Sequence, residues 1–228
     1  MMSRIQGATF VALAALASLA ADASGTILQT HAGLTVTSAT NPTTIIDTSN
    51  DTGDWISTYG DASSSGTLYY GFDFTVDNNN GETGTGGYWT ALQLFSGGNE
   101  RIGLGNNWNS LNLSSFQHNG DQDLAGPTPY VIGTTYRLVA QIDFVNGGDD
   151  SAKVWIDPIS PASPSKDLGA ADASFDNIQL RGGNDAASTT YGNIVFATTF
   201  NEAAGVPEPA TVVLSIGGLL GFWKLRRK

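Results

Sequence analysis

From Thr67 to Val76, apolar and polar positions alternate without interruption. Leu68, Tyr70, Phe72, Phe74 and Val76 fall on one side, and Thr67, Tyr69, Gly71, Asp73 and Thr75 on the other. A period of two is the signature of an antiparallel strand with one face buried. Tyr136 to Phe144 repeats it, with Tyr136, Leu138, Ala140, Ile142 and Phe144 inward. Asn146-Gly147-Gly148-Asp149 then supplies turn residues that accept positive φ, so Lys153 to Asp157 is predicted to return as the second arm of a hairpin. Shorter strands are expected at Thr90–Phe95, Arg101–Leu104, Asn177–Arg181 and Asn193–Phe200, and Thr26–Val36 predicts an opening pair of strands. Pro158, Pro161 and Pro164 bar Asp157–Ser174 from a central strand and predict a long loop or edge crossover. No window of the middle carries an amphipathic helical repeat. Gly-, Asn- and Ser-rich joints between short strands point to an all-β sandwich, not a βαβ fold.

Both ends depart from this pattern. Arg4 precedes the apolar run Ala8–Ala21, and Ala21-Asp22-Ala23 is a small-x-small cleavage site. Together they predict a signal peptide over residues 1–23, removed after Ala23 or near it and engaging the Sec export machinery. A permanent N-terminal anchor is the competing reading. At the other end Pro207-Glu208-Pro209 holds the backbone extended, because proline fixes φ and lacks a donor. An uncharged run follows, Ala210–Trp223, carried by Val212, Val213, Leu214, Ile216, Leu219, Leu220, Phe222 and Trp223. Lys224, Arg226, Arg227 and Lys228 close the chain as a basic stop that would favour a cytoplasmic leaflet. The run makes about 21 Å of helix, short of the roughly 20 residues that span a bilayer unaided. Trp223 at the interface and snorkelling Lys and Arg would lengthen it. A buried C-terminal helix with a solvated basic end remains open. Ala203-Ala204-Gly205 reads as a short flexible spacer.

The order of those C-terminal parts resembles the PEP-CTERM sorting signal of exported proteins of Gram-negative bacteria. The resemblance covers residues 206–228. It implies a transient anchor in the inner membrane, recognition and cutting by an exosortase, and a final place at the cell surface or in the extracellular matrix.

Residues 24–205 are then the single folded domain. They hold five basic residues against nineteen acidic ones, a formal charge of −14. Nucleic acid is excluded as a partner, since phosphate binding needs a basic surface. No cysteine occurs, so disulfides, thiol catalysis and Cys-ligated metals are excluded too.

Tyr136-Arg137-Leu138-Val139-Ala140-Gln141-Ile142-Asp143, a Gly/Asp turn, then Lys153-Val154-Trp155-Ile156-Asp157-Pro158 resembles the central hairpin of concanavalin A-like (LamG-type) jelly rolls. Phe175–Arg181 and Gly192–Phe196 resemble their closing strands, which return near the N-terminus. The resemblance implies an antiparallel jelly-roll β-sandwich over Thr67–Phe200. The terminal runs would flank it as a signal helix and a transmembrane helix. Laminarinase-like members of that family carry Glu-x-Asp-x-x-Glu on one strand. Here Glu82, Glu100 and Glu202 are the only glutamates of the domain, and none stands in that spacing. Asp73 stands alone on its polar face. His31 and His118 lack ligand spacing and read as surface or loop residues. Asp77–Glu82, Asp121-Gln122-Asp123 and Asp149-Asp150 offer oxygen ligands, so calcium is conceivable, but ordinary turn chemistry explains each cluster better and no metal or cofactor is assigned.

Sugar binding uses exposed aromatic faces with amide partners. Trp108 with Asn107, and Trp89 after Tyr88, are the candidates, against the plain alternative of loop tryptophans folded over the end of the sandwich. The sequence therefore predicts an exported, non-enzymatic surface or matrix protein with polysaccharide as its candidate ligand. The rivals are a carbohydrate-active hydrolase on a concanavalin A-like fold and a purely structural surface module.

Overall fold

The computed structural model describes residues 25–37, 42–47, 54–59, 64–78, 90–106, 112–117, 120–123, 129–158, 160–183 and 187–206. Along them run β1 (Ile27–His31), β2 (Leu34–Thr37), β3 (Thr43–Asp47), α1 (Asp54–Tyr59), β4 (Gly66–Asn78), β5 (Thr90–Ser96), β6 (Asn99–Asn106), β7 (Leu113–Gln117) and β8 (Gly120–Asp123). Then follow β9 (Thr135–Phe144), β10 (Asp150–Ile156), β11 (Lys166–Ala171), β12 (Asn177–Gly182), β13 (Ser188–Ala197) and α2 (Phe200–Ala204).

Two antiparallel sheets result. One has seven strands in the order β1-β13-β4-β9-β10-β11, with β2 also on β13. The other has six, β3-β12-β5-β6-β7-β8. One hydrophobic core joins them: Tyr70, Phe72, Phe74 and Phe196 of the first sheet share it with Leu92, Leu94, Ile102, Leu104, Ile178 and Leu180 of the second. Burying each such side chain is worth about 1.5–3 kcal/mol. The alternation in the sequence is thus that of a β-sandwich. β4, the most regular stretch, sits centrally, paired to β9 from Gly66↔Phe144 to Thr75↔Thr135 and to β13 on its other edge. The hairpin β9–β10 forms as predicted, with Ile156 opposite Leu138. At its turn Gly147 takes φ 67°, which glycine adopts without steric cost.

The expected opening pair of strands forms as β1 and β2, and both lie along β13, with His31 opposite Ile194 and Leu34 opposite Tyr191. They are one edge strand interrupted at residues 32–33. The segment after Asp157 does contain a strand, β11, which begins past the last of its prolines and lies at the sheet edge beside β10. The predicted spacer is also replaced. Ala203 and Ala204 are buried in α2, which ends at Gly205 in the left-handed conformation, φ 69°. Phe200 packs on Trp155, with ring centroids 5.1 Å apart, and on Tyr69 at 6.4 Å.

Asp73 is not alone either. Arg137 pairs with it at 3.1 Å. The same guanidinium donates through Nη1 to the Asn193 carbonyl at 2.8 Å and through Nη2 to the Ala203 carbonyl. Asn193 Nδ2 donates to the second oxygen of Asp73. Burial lowers the Arg137 pKa, and the charge and hydrogen bond of Asp73 oppose that shift. Arg137 thus fixes the C-terminal end of α2, where carbonyls lack helical partners.

Among the described residues no helix is long and apolar enough to cross a membrane. The segments expected to be signal and membrane helices, 1–23 and 207–228, lie outside the described residues.

Tyr70 is fully buried and its hydroxyl has no hydrogen-bond partner among the described residues. Burial pushes that hydroxyl well above the ordinary tyrosine range. The folded state then holds its proton where the unfolded state loses it, so this residue costs stability as pH rises above about 10. Removing an unsatisfied buried group spares its desolvation. Tyr70→Phe is expected to raise the thermal midpoint at pH 7 by a few degrees, roughly 1 kcal/mol, and to soften the loss of stability above pH 10. A lowered midpoint at pH 7 would contradict this.

Candidate functional site

The outward face of the six-stranded sheet gathers the groups that the core does not use. In β12, Ile178 and Leu180 are buried inward, so Asn177, Gln179 and Arg181 alternate outward. In β5, Leu92 and Leu94 point inward and Ala91, Gln93 and Phe95 outward. The register lines these up in rows across β12, β5 and β6: Arg181–Ala91–Gly105, Gln179–Gln93–Gly103 and Asn177–Phe95–Glu100. A register shift between Leu94 and Phe95 brings Glu100 opposite Phe95. Two glycines in β6 leave the middle of the face without side chains. At Gly105, φ is 152°, and a Cβ would overlap the Thr90 carbonyl, so only glycine fits.

Gln93 lies at the centre of this face. It is fully buried although it points away from the core. Its Nε2 donates to Glu100 Oε1. A carboxylate only accepts, so this contact fixes which end of the amide is nitrogen. Gln93 Oε1 is then a buried acceptor with no hydrogen-bond partner among the described residues. Gln179 Nε2 donates to Asn177 Oδ1 at 2.7 Å. Burial lowers the Arg181 pKa, opposed by the charges of Glu100 and Tyr191. Phe95 is half-buried. Through β7 the rows continue to Phe116 and Asp121, and to Ser114 and Asp123.

At one end of this face Thr90 and Asn106 are cross-strand partners. The Thr90 hydroxyl lies 2.9 Å from the Arg181 carbonyl, 2.7 Å from the Thr189 hydroxyl and 3.0 Å from the Tyr191 hydroxyl. Asn106 Nδ2 donates to the Asn112 carbonyl at 2.8 Å. Thr90 and Asn106 are thus neighbouring, firmly held strand ends. Trp89, Asn107 and Trp108 themselves lie outside the described residues, as do His118, the Pro207-Glu208-Pro209 motif, Ala21 and Ala23.

His31 is a strand residue, not a loop one. Trp55 Nε1 donates to Gln29 Oε1 at 3.0 Å, so Gln29 Nε2 is the donor to His31 Nε2, also at 3.0 Å. The Trp55–Gln29 contact ties α1 to β1. The acidic clusters considered for calcium have other uses where they are described. Asp150 accepts from the Val145 and Ala173 backbone at 2.8 and 2.7 Å, and Asp77 accepts from Thr190 at 2.7 Å. Among the described residues no group of three His, Asp or Glu side chains could hold a metal ion.

Sequence reading missed Gln93, Glu100, Gln179 and Arg181. A signal was present: Leu92-Gln93-Leu94 and Ile178-Gln179-Leu180 each set one amide between two core residues. What the sequence lacks is the pairing of β5 with β12, which places the two glutamines opposite each other.

No protein-family model and no curated protein matches the chain. Among solved structures, an endo-β-1,4-glucuronan lyase from the fungus Trichoderma reesei aligns at 12% identity and TM-score 0.46, over 80% of this chain and 90% of that one. An alginate lyase bound to alginate tetrasaccharide aligns at 14% and 0.38, over 58% and 69%. The catalytic domain of a glycoside hydrolase family 131 protein from Coprinopsis cinerea aligns at 16% and 0.38, over 58% and 56%. These are carbohydrate-active enzymes by name, and the expectation of a non-enzymatic protein is corrected accordingly. At such identities and TM-scores they assign this chain no substrate and no catalytic residue.

Proposed function

We propose that the protein is an exported carbohydrate-active enzyme on a concanavalin A-like jelly roll, with its site on the outward face of the six-stranded sheet. One observation carries the reading: the buried, unpartnered Oε1 of Gln93 beside Glu100. Leaving such an acceptor unmade costs about 1–3 kcal/mol, a cost that a bound sugar hydroxyl would remove. Phe95 offers a ring on which a sugar face can stack.

Hydrolysis is the reaction that suits the groups. Glu100 would act as general base, held in place by Gln93. Glycosidases pair two carboxyls, so a second carboxyl must complete the site beside Glu100. The glycosidic C–O bond breaks, water adds its hydroxyl to the anomeric carbon, and the leaving oxygen takes a proton. The full-length chain incubated with a panel of polysaccharides is expected to release new reducing ends. Release of none across neutral and acidic polymers would overturn the reading.

The ends complete the proposal. Order and composition of residues 1–23 and 206–228 support export, a transient membrane anchor and processing by an exosortase-type enzyme before surface or matrix placement. Expression with and without such an enzyme, followed by identification of the C-terminal residue, tests this. An identical, uncut C-terminus in both strains would contradict it.

A further inference from the structure

The electrostatics of the Gln93 face narrow its ligand. We infer that it takes a neutral, hydroxyl-presenting glycan and discriminates against polyuronates. This rests on reading that face as the carbohydrate site.

Three observations carry the inference. First, the orientation of the Gln93 amide is fixed by Glu100, so its buried Oε1 can only accept. A hydroxyl supplies the missing donor, and an ionised carboxylate has none. Second, positive charge on the face is matched. Arg181 is stabilised by Glu100, and Arg101, the neighbour of Glu100 in β6, pairs with Asp172 at 3.9 Å. A uronate carboxylate brought beside Gln93 would meet the Glu100 carboxylate in a site shielded from water, where like charges repel strongly. Third, the formal charge of −14 over residues 24–205 repels a polyanion before contact. Arginine alone would suggest an acidic sugar. The carboxylate beside each arginine removes that argument.

The test uses the full-length chain and calorimetric titration with laminarihexaose, cellohexaose and hexagalacturonate. A neutral hexasaccharide is expected to bind at least about tenfold more tightly than hexagalacturonate, a difference set by one well-defined hydrogen bond. Its affinity should hold between about 0.05 and 0.5 M salt, because no ion pair forms with the ligand. Gln93→Leu should weaken it roughly tenfold without lowering the thermal midpoint by more than a few degrees. Preferential binding of hexagalacturonate, lost in Gln93→Leu, would overturn this inference and leave the face as the site. Binding of no hexasaccharide, or binding indifferent to Gln93→Leu, would overturn the site as well. If the variant does not fold, the preference of the unaltered protein and its salt dependence still decide the inference.

Discussion

Gly71→Ala is expected to cost about 3 kcal/mol or more, lowering the thermal midpoint by roughly 10 °C. Gly71 lies beneath the C-terminal turn of α2. A Cβ there would overlap the Ala203 carbonyl and press on the Arg137 guanidinium at 3.0 Å. Both obstacles are held. Ala203 is fully buried, and its carbonyl accepts from Arg137, which also binds Asp73 and the Asn193 carbonyl. The helix can make room only by lifting. That strips the cover from Trp155, which is 2% exposed, and leaves Asp73 and Arg137 competing for water. Gly33→Ala is the control: its nearest neighbour would be the Tyr191 carbonyl at 3.4 Å, an ordinary contact. Calorimetry on the two variants checks the difference, and equal midpoints would contradict the account of the closing corner.

Glu100→Gln is expected to lower kcat about 10²–10³-fold, the usual worth of a positioned acid or base, with KM changed little. The replacement amide still offers an oxygen to Gln93 Nε2, so the contact that orders the face survives while the proton-transferring group is lost. A loss of transition-state stabilisation alone has this kinetic form. Loss of activity through unfolding would instead appear as a lowered midpoint and a uniform loss of active fraction. If Glu100→Gln retained full kcat on a confirmed substrate, Glu100 would have no part in proton transfer.

The fold was legible where one physical signal dominated. β4 and β9 alternate so strictly that their inward residues, from Leu68 to Phe144, could be named from periodicity. The short strands β3, β7 and β8 carry four or five residues each, too few for a period to show. α1 and α2 are single turns to a turn and a half, held by tertiary packing of Trp55 and Phe200 and not by helical propensity. The candidate site was nearly invisible for a different reason. Its residues come from β5, β6 and β12, and Gln179 stands nearly half the domain's length beyond Gln93 in sequence. Aromatic residues in loops were the visible sugar-binding signal, whereas the described polar constellation stands on strands, where Gln93 reads as one polar residue in an apolar run. Asp73 shows the same limit: its partner Arg137 is reached only through the pairing of β4 with β9.

The most direct measurement is a crystal structure of the full-length chain with a bound neutral hexasaccharide. Sugar density is expected along the rows of β12, β5 and β6, with a ligand hydroxyl within about 3 Å of Gln93 Oε1 and a sugar face against Phe95. A ligand seated elsewhere, with Gln93 Oε1 satisfied by a donor of the protein itself, would contradict the assignment of this face.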